Sequence, residues 1–60
     1  MNVNELVAEI TAKMEAFQKD AHANAEKGNK AAGLRARKVS LELTTLMKAY
    51  RAATIAADKE

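Results

Sequence analysis

The sequence has 60 residues and a net charge of +2, with no Cys, no Pro and no Trp, so it is long enough for one domain only. Alanine supplies 14 of its hydrophobic residues, and without a disulfide or a Cys-based zinc site its single core is marginal, which favours self-association. No apolar run approaches the roughly 20 residues of a membrane span and no basic signal peptide opens the chain, so we expect no membrane contact. The cytoplasm is the default location, because the absence of Cys fits any compartment.

The first half of the chain has the composition of a helix. Asn2 or Asn4 can cap its start, and Glu5 lies in the first turn, where a negative charge suits the helix dipole. Apolar residues then recur at alternating spacings of four and three, which predicts one buried stripe. The predicted stripe contains Val3, Val7, Ile10, Met14, Phe17, Ala21 and Asn24.

The second half repeats this pattern after a short interruption. Gly28 is suited to the left-handed conformation past a helix end, and Asn29 is suited to cap the next helix. The second predicted stripe contains Ala36, Val39, Leu43, Leu46, Tyr50, Ala53 and Ala57.

Two antiparallel helices explain both stripes better than one continuous helix. Continuing the first stripe without a turn would place Arg35, Lys38 and Glu42 on it, which is a poor seam. We therefore expect an all-α, coiled-coil-like helical hairpin that forms one domain over residues 1–60. Helix one should span about 3–27, the turn about 28–30 and helix two about 31–57. We expect two such hairpins to dimerise into a four-helix bundle.

Three large apolar residues of helix two miss its stripe. Leu34, Leu41 and Ile55 belong to one seven-residue series, in which Lys48 takes the remaining place. A second seam of this kind suggests a second neighbour, so these three residues are the predicted oligomer interface.

The sequence offers almost no catalytic chemistry. It contains one His, no Cys and no glycine-rich phosphate loop, and His22 lies away from the apolar stripe. The carboxylates lack His partners at helical spacing, so a solvated surface explains them better than a metal site. We expect no enzyme, no metal, no cofactor and no small-molecule substrate.

Charge is distributed unevenly along the chain. Residues 1–26 carry a net charge of −3, whereas residues 27–51 carry +6 with Glu42 as their one acid. The start of helix two is basic where helices favour acids, and Gly33 costs it up to about 1 kcal/mol relative to Ala. A bound polyanion would reverse this electrostatic cost. The predicted binding cations are Lys27, Lys30, Arg35, Arg37, Lys38, Lys48 and Arg51.

The segment EKGNKAAGLRARK, residues 26–38, also resembles a known family. Together with Ser40, Glu42 and the Tyr50–Arg51 pair, it is similar to the bacterial linker-histone-like DNA-binding proteins of the chlamydial type. The resemblance covers about residues 3–57. It implies a nucleoid-associated protein that binds duplex DNA with little sequence preference, in a short form without the family's Lys/Ala-rich tail.

Two other functions remain open from the residues alone. The hairpin could be a structural homo-oligomerisation module whose basic surface meets an acidic protein, or it could bind RNA as other short dimeric hairpins do. The favoured interpretation is sequence-independent duplex DNA binding in the bacterial nucleoid.

Overall fold

The computed structural model describes residues 2–59 and consists of two helices. Helix α1 spans Val3–Lys27 and helix α2 spans Lys30–Asp58, and Gly28 and Asn29 connect them. The helices pack against each other in antiparallel orientation along a molecule 48 Å long and about 15 Å across. The predicted all-α helical hairpin is therefore confirmed. Neither α1 nor α2 contains a segment long and apolar enough to cross a membrane.

Short polar side chains determine where each helix begins. Asn2 caps α1, because its Oδ1 accepts a hydrogen bond from the Glu5 N–H at 2.8 Å while its Nδ2 donates to Glu5 Oε1 at 3.0 Å. Asn29 caps α2 in the same way, since its Oδ1 accepts from the Ala32 N–H at 3.1 Å. Both caps occupy amide groups that the helix itself leaves without partners.

The turn is set by one left-handed residue. Gly28 has φ +64° and ψ +25°, and its N–H donates to the Asn24 carbonyl at 3.0 Å. The Asn29 N–H reaches the Ala23 carbonyl at 3.4 Å. These two bonds close the end of α1, so the chain reverses within two residues.

The buried side of α1 differs from the predicted stripe. Val7 and Met14 were expected at the seam, but they are 47 % and 40 % exposed, whereas Leu6 is only 3 % exposed. Lys13 and Asp20 are half-buried instead. The predicted stripe and the observed buried side, which runs through Leu6, Lys13 and Asp20, have Val3, Ile10 and Phe17 in common. Helix α1 is rotated toward the side that contains the two charged residues, because both charges find partners on α2.

The predicted stripe of α2 is largely correct. Ala36 and Leu43 are buried, and Val39, Leu46, Tyr50 and Ala53 are half-buried, whereas Ala57 is exposed near the helix end. Ala32 is fully buried close to the turn. The core is nevertheless small, since no large side chain in the described residues is completely enclosed.

Candidate nucleic-acid interface

All seven predicted binding cations lie on the surface of the hairpin. Lys27 ends α1 and Lys30 begins α2, so the two-residue turn places these two lysines at one end of the molecule. The other five project from α2: Arg35, Arg37, Lys38, Lys48 and Arg51. Exposure makes them available to an anion, and their different positions around the helix separate their roles.

Arg35 is already occupied within the chain. Its Nη2 lies 3.2 Å from Asp20 Oδ1, and its Nε lies 3.3 Å and 3.4 Å from the two oxygens of the same carboxylate. The Asp20 side chain is 17 % exposed, so the carboxylate is mostly withdrawn from water. The guanidinium therefore joins α2 to α1, and less of its charge is free for an external anion.

Glu42, the one acid of residues 27–51, is also engaged across the helices. The Lys13 Nζ lies 2.6 Å from Glu42 Oε2, and that oxygen is shielded from solvent. The close contact with Lys13 lowers the pKa of Glu42 below its usual value, with a smaller lowering from Lys38, and the same contact raises the pKa of Lys13. Glu42 thus pairs with a cation of α1 and forms no ion pair with the cations of α2.

The remaining cations are not paired within the described chain. Of the seven predicted binding cations, only Arg35 has a carboxylate oxygen of residues 2–59 within 4.0 Å of its charged group. Glu26 does not pair with any of these cations, since its carboxylate lies 3.5 Å from His22 Nδ1 on the surface of α1.

Gly33 has a structural explanation that sequence reasoning missed. It is buried, and a Cβ at this position would lie 2.8 Å from Cγ of Asn24 on the facing helix. The Nδ2 of Asn24 in turn donates to the Asn29 carbonyl at 3.1 Å. Glycine therefore allows the helices to approach closely beside the turn, and its presence does not require a bound phosphate.

Four cations, three aliphatic residues and one threonine share one exposed side of α2. They recur at alternating spacings of four and three, and at about 100° per residue they cover an arc of about 100°. We call this surface the α2 stripe; it consists of Lys30, Leu34, Arg37, Leu41, Thr44, Lys48, Arg51 and Ile55, all of them exposed. Four of the seven predicted DNA-binding residues and all three residues of the predicted oligomer interface thus fall on the same surface.

The other conspicuous surface is apolar and runs along one side of the helix pair. Val7, Ile10 and Thr11 of α1 and Met47 and Tyr50 of α2 line an open groove of about 160 Å³. We call it the apolar groove. None of its lining residues is charged, whereas the opposite side of the pair carries Glu9, Lys13 and Glu42.

These features define a small, basic all-α protein whose second helix presents its charge to solvent. A family model described as "Histone H1-like protein Hc1" matches residues 4–60, and the chain belongs to this family. The resemblance predicted from residues 26–38 is therefore confirmed at the level of the family. No curated protein and no solved structure gives a significant match.

Proposed function

We propose that this protein binds duplex DNA through the phosphate backbone, with little sequence preference, as a small component of the bacterial nucleoid. Membership of the histone H1-like family supports a DNA-binding nucleoid protein, and the family is not known for catalysis. One structural observation carries the proposal: the stripe cations Lys30, Arg37, Lys48 and Arg51 are exposed and have no carboxylate partner among residues 2–59. Such charges attract a polyanion without reading its sequence.

The predicted site residues divide into two groups under this proposal. The four stripe cations lie on one side of α2 and can face the same duplex together, whereas Lys27 and Lys38 extend the positive surface beyond the stripe. Arg35 contributes less, because its contact with Asp20 must weaken before it can reach a phosphate. The proposal therefore assigns binding mainly to the stripe and assigns Arg35 mainly to the hairpin.

The expected affinity follows from the number of phosphate contacts. Each contact changes the slope of log affinity against log salt by about −0.9, so four contacts give a slope of roughly −3.6. A slope of this size is modest for a DNA-binding protein. One hairpin alone should bind weakly near physiological salt, and binding should strengthen when several hairpins occupy one duplex.

Self-association is a second proposal, and the apolar surfaces support it. Val7, Met14, Leu34, Leu41 and Ile55 are each at least 40 % exposed, which is a large unburied fraction for so small a protein. The interface predicted from the sequence, Leu34, Leu41 and Ile55, stays a prediction. The apolar groove is the better-suited surface, because two copies meeting through the α2 stripe would oppose like charges.

A salt-dependent titration tests the DNA proposal. The wild-type protein would be titrated into duplex DNA, single-stranded DNA and an RNA hairpin at several concentrations between about 50 and 200 mM salt. Arg37→Gln should weaken duplex binding equally for unrelated sequences and make the slope less steep by about 0.9. Lys19→Gln, an exposed lysine of α1, removes the same charge and should leave the slope nearly unchanged.

Three outcomes would count against the proposal. Equal effects of Arg37→Gln and Lys19→Gln on the salt slope would mean that net charge alone determines DNA binding and that no defined surface contacts the DNA. Preferential binding of the RNA hairpin would favour the RNA-binding alternative. Absence of any salt-dependent binding, with an oligomer that persists, would favour the structural interaction module.

A further inference from the structure

The aliphatic residues of the α2 stripe need an explanation, because they are the most exposed large hydrophobic residues among those that the structure describes. Leu34 is 62 % exposed and Leu41 is 72 % exposed. At about 100° per residue, both point roughly 150–170° away from the buried line through Ala36 and Leu43. They therefore form the outermost ridge of α2, on the side that faces away from α1.

Cations flank this ridge on both sides. Arg37 lies about 40° from Leu41 in one direction around the helix, and Lys38 lies about 60° from it in the other. Within α2 up to Ala57 the only acidic residue is Glu42, which is turned toward α1 and held by Lys13. The ridge thus combines an apolar apex with positive flanks and has no negative charge beside it.

We propose that this ridge enters the major groove of duplex DNA, with Leu34 and Leu41 against the 5-methyl groups of thymine and the flanking cations on the phosphates of the two strands. The proposal rests on the DNA-binding function proposed above and assigns the two leucines to that function. The major groove is about 12 Å wide and admits an α-helix, and the thymine methyl is the apolar group exposed in it. Because α1 lies behind α2, only one helix has to fit.

The dimensions limit the contact to the first part of the stripe. Lys30 and Leu41 are separated by about 16 Å along α2, whereas Lys30 and Ile55 are separated by about 37 Å, at 1.5 Å per residue. The groove turns completely around the duplex in about 34 Å, so a straight helix must leave it well before Ile55. Ile55 is therefore outside the groove and serves as the matched control.

A second copy of the chain is the competing occupant of the ridge. It fits less well, because the stripe contains no acidic residue, so two copies meeting through this surface would bring cations of one copy against cations of the other. A duplex instead provides phosphates for the flanking cations and thymine methyl groups for Leu34 and Leu41. Charge complementarity therefore favours DNA.

Replacement of thymine by uracil provides the test. The protein would be titrated into a short duplex of alternating A and T and into the same duplex with deoxyuridine in place of thymidine, at one low salt concentration. The two duplexes differ in their methyl groups and have the same phosphates. We expect the thymine duplex to bind about fourfold more tightly for one buried methyl group, since a buried CH₂ contributes about 0.8 kcal/mol.

The variants determine whether the leucines read the methyl groups. Leu34→Ala/Leu41→Ala should lower the thymine-to-uracil ratio to about one without changing the salt slope, whereas Ile55→Ala should keep the wild-type ratio. Both variants should fold, because the replaced side chains are exposed and Ala is the best helix former. Circular dichroism spectra check that the helix content of both variants matches that of the wild type.

Each remaining outcome has a distinct meaning. A wild-type ratio of one with normal duplex binding would overturn the groove contact and leave the proposed function intact. A ratio that survives in the double variant would overturn the role of the leucines, as would loss of an oligomer in sedimentation with the ratio unchanged. Failure to bind either duplex would overturn the proposed function itself.

Discussion

Arg35 binds Asp20 across the two helices, because its Nε and Nη2 both donate hydrogen bonds to the Asp20 carboxylate at 3.2–3.4 Å. This contact separates two arginines that the sequence presents as equivalent. Arg35 holds the hairpin together, whereas Arg37, two residues later, has no carboxylate within ion-pair distance among residues 2–59. Substitution of the two should therefore affect different properties.

Arg35→Gln should destabilise the hairpin, and Arg37→Gln should not. Loss of Arg35 leaves the mostly buried Asp20 carboxylate without its partner, which we expect to cost about 1 kcal/mol. In a chain of this length that corresponds to a fall in melting temperature of about 4–8 °C. Thermal unfolding followed by circular dichroism measures both variants. Equal melting temperatures would show that the contact with Asp20 contributes nothing to stability.

The Asp20→Asn/Arg35→Gln double variant is the control. If the ion pair is the cause, the double variant should be less destabilised than the two single effects added together. Duplex binding should show the opposite order of effects from stability: Arg37→Gln should change the salt slope more than Arg35→Gln does.

Gly33→Ala should have a different effect in the presence and absence of Asn24. Alanine is favoured over glycine in a helix by about 1 kcal/mol, but its Cβ would displace the Asn24 side chain and break the hydrogen bond to Asn29. With Asn24 present the two effects oppose each other, and the stability should change little. In an Asn24→Ala background, Gly33→Ala should stabilise the hairpin by about 1 kcal/mol. Urea denaturation of the four proteins gives the coupling, and a stabilisation of equal size in both backgrounds would disprove the steric role of glycine.

Glu42 and Lys13 should make part of the stability depend on pH. The contact with Lys13 lowers the pKa of Glu42 from its usual 4.5, so the stabilisation is present above about pH 4.5 and is lost as the pH falls through the lowered value. The contact with Glu42 raises the pKa of Lys13 from 10.5, so the same stabilisation is present below about pH 10.5 and is lost as the pH rises through the raised value.

The measurement compares the wild type with Glu42→Gln over this range. The wild type should melt at the higher temperature near neutral pH, and the difference between the two proteins should shrink below pH 4.5. Arg37→Gln, which does not alter the ion pair, should follow the wild-type profile. A difference that stays constant down to strongly acidic pH would exclude titration of Glu42 as its cause.

Local signals predicted the ends of the helices, because caps depend on a few neighbouring residues. Asn2, Gly28 and Asn29 have the predicted roles. The rotation of α1 was mispredicted because apolar spacing alone cannot show that Lys13 and Asp20 find opposite charges across the seam. Folding the chain midway between Gly28 and Asn29 would place Lys13 level with Thr44 and Asp20 level with Arg37, so the two observed ion pairs depend on a register that differs from this one by two residues.

The candidate site, too, could be predicted from the sequence only in part. The exposure of its cations follows from their distance from the apolar stripe. The seven-residue series through Leu34 was interpreted only as an oligomer interface, so the surface that it shares with the cations was not predicted. The engagement of Arg35 and the packing of Gly33 depend on contacts between the helices. Such contacts require the antiparallel register, which composition and periodicity do not supply.

The position of any self-association interface can be tested with two lysine substitutions. The apolar groove includes Val7, which is 47 % exposed and lines the groove together with Met47 of α2. If a second hairpin covers this groove, Val7→Lys should shift the protein toward monomer, because a charge buried in an uncharged interface carries a large desolvation cost. Leu41→Lys, on the stripe, should leave the mass unchanged. Sedimentation equilibrium measures both variants at micromolar concentrations.

The melting temperature provides an independent measurement of the same equilibrium. When association stabilises the folded state, the melting temperature rises with protein concentration. This dependence should be present in the wild type and in Leu41→Lys and absent in Val7→Lys. If Leu41→Lys instead produces monomer while Val7→Lys does not, the interface predicted from the sequence is correct, and the leucine ridge belongs to the oligomer and not to the DNA. A wild type that is monomeric at every concentration would rule out both surfaces.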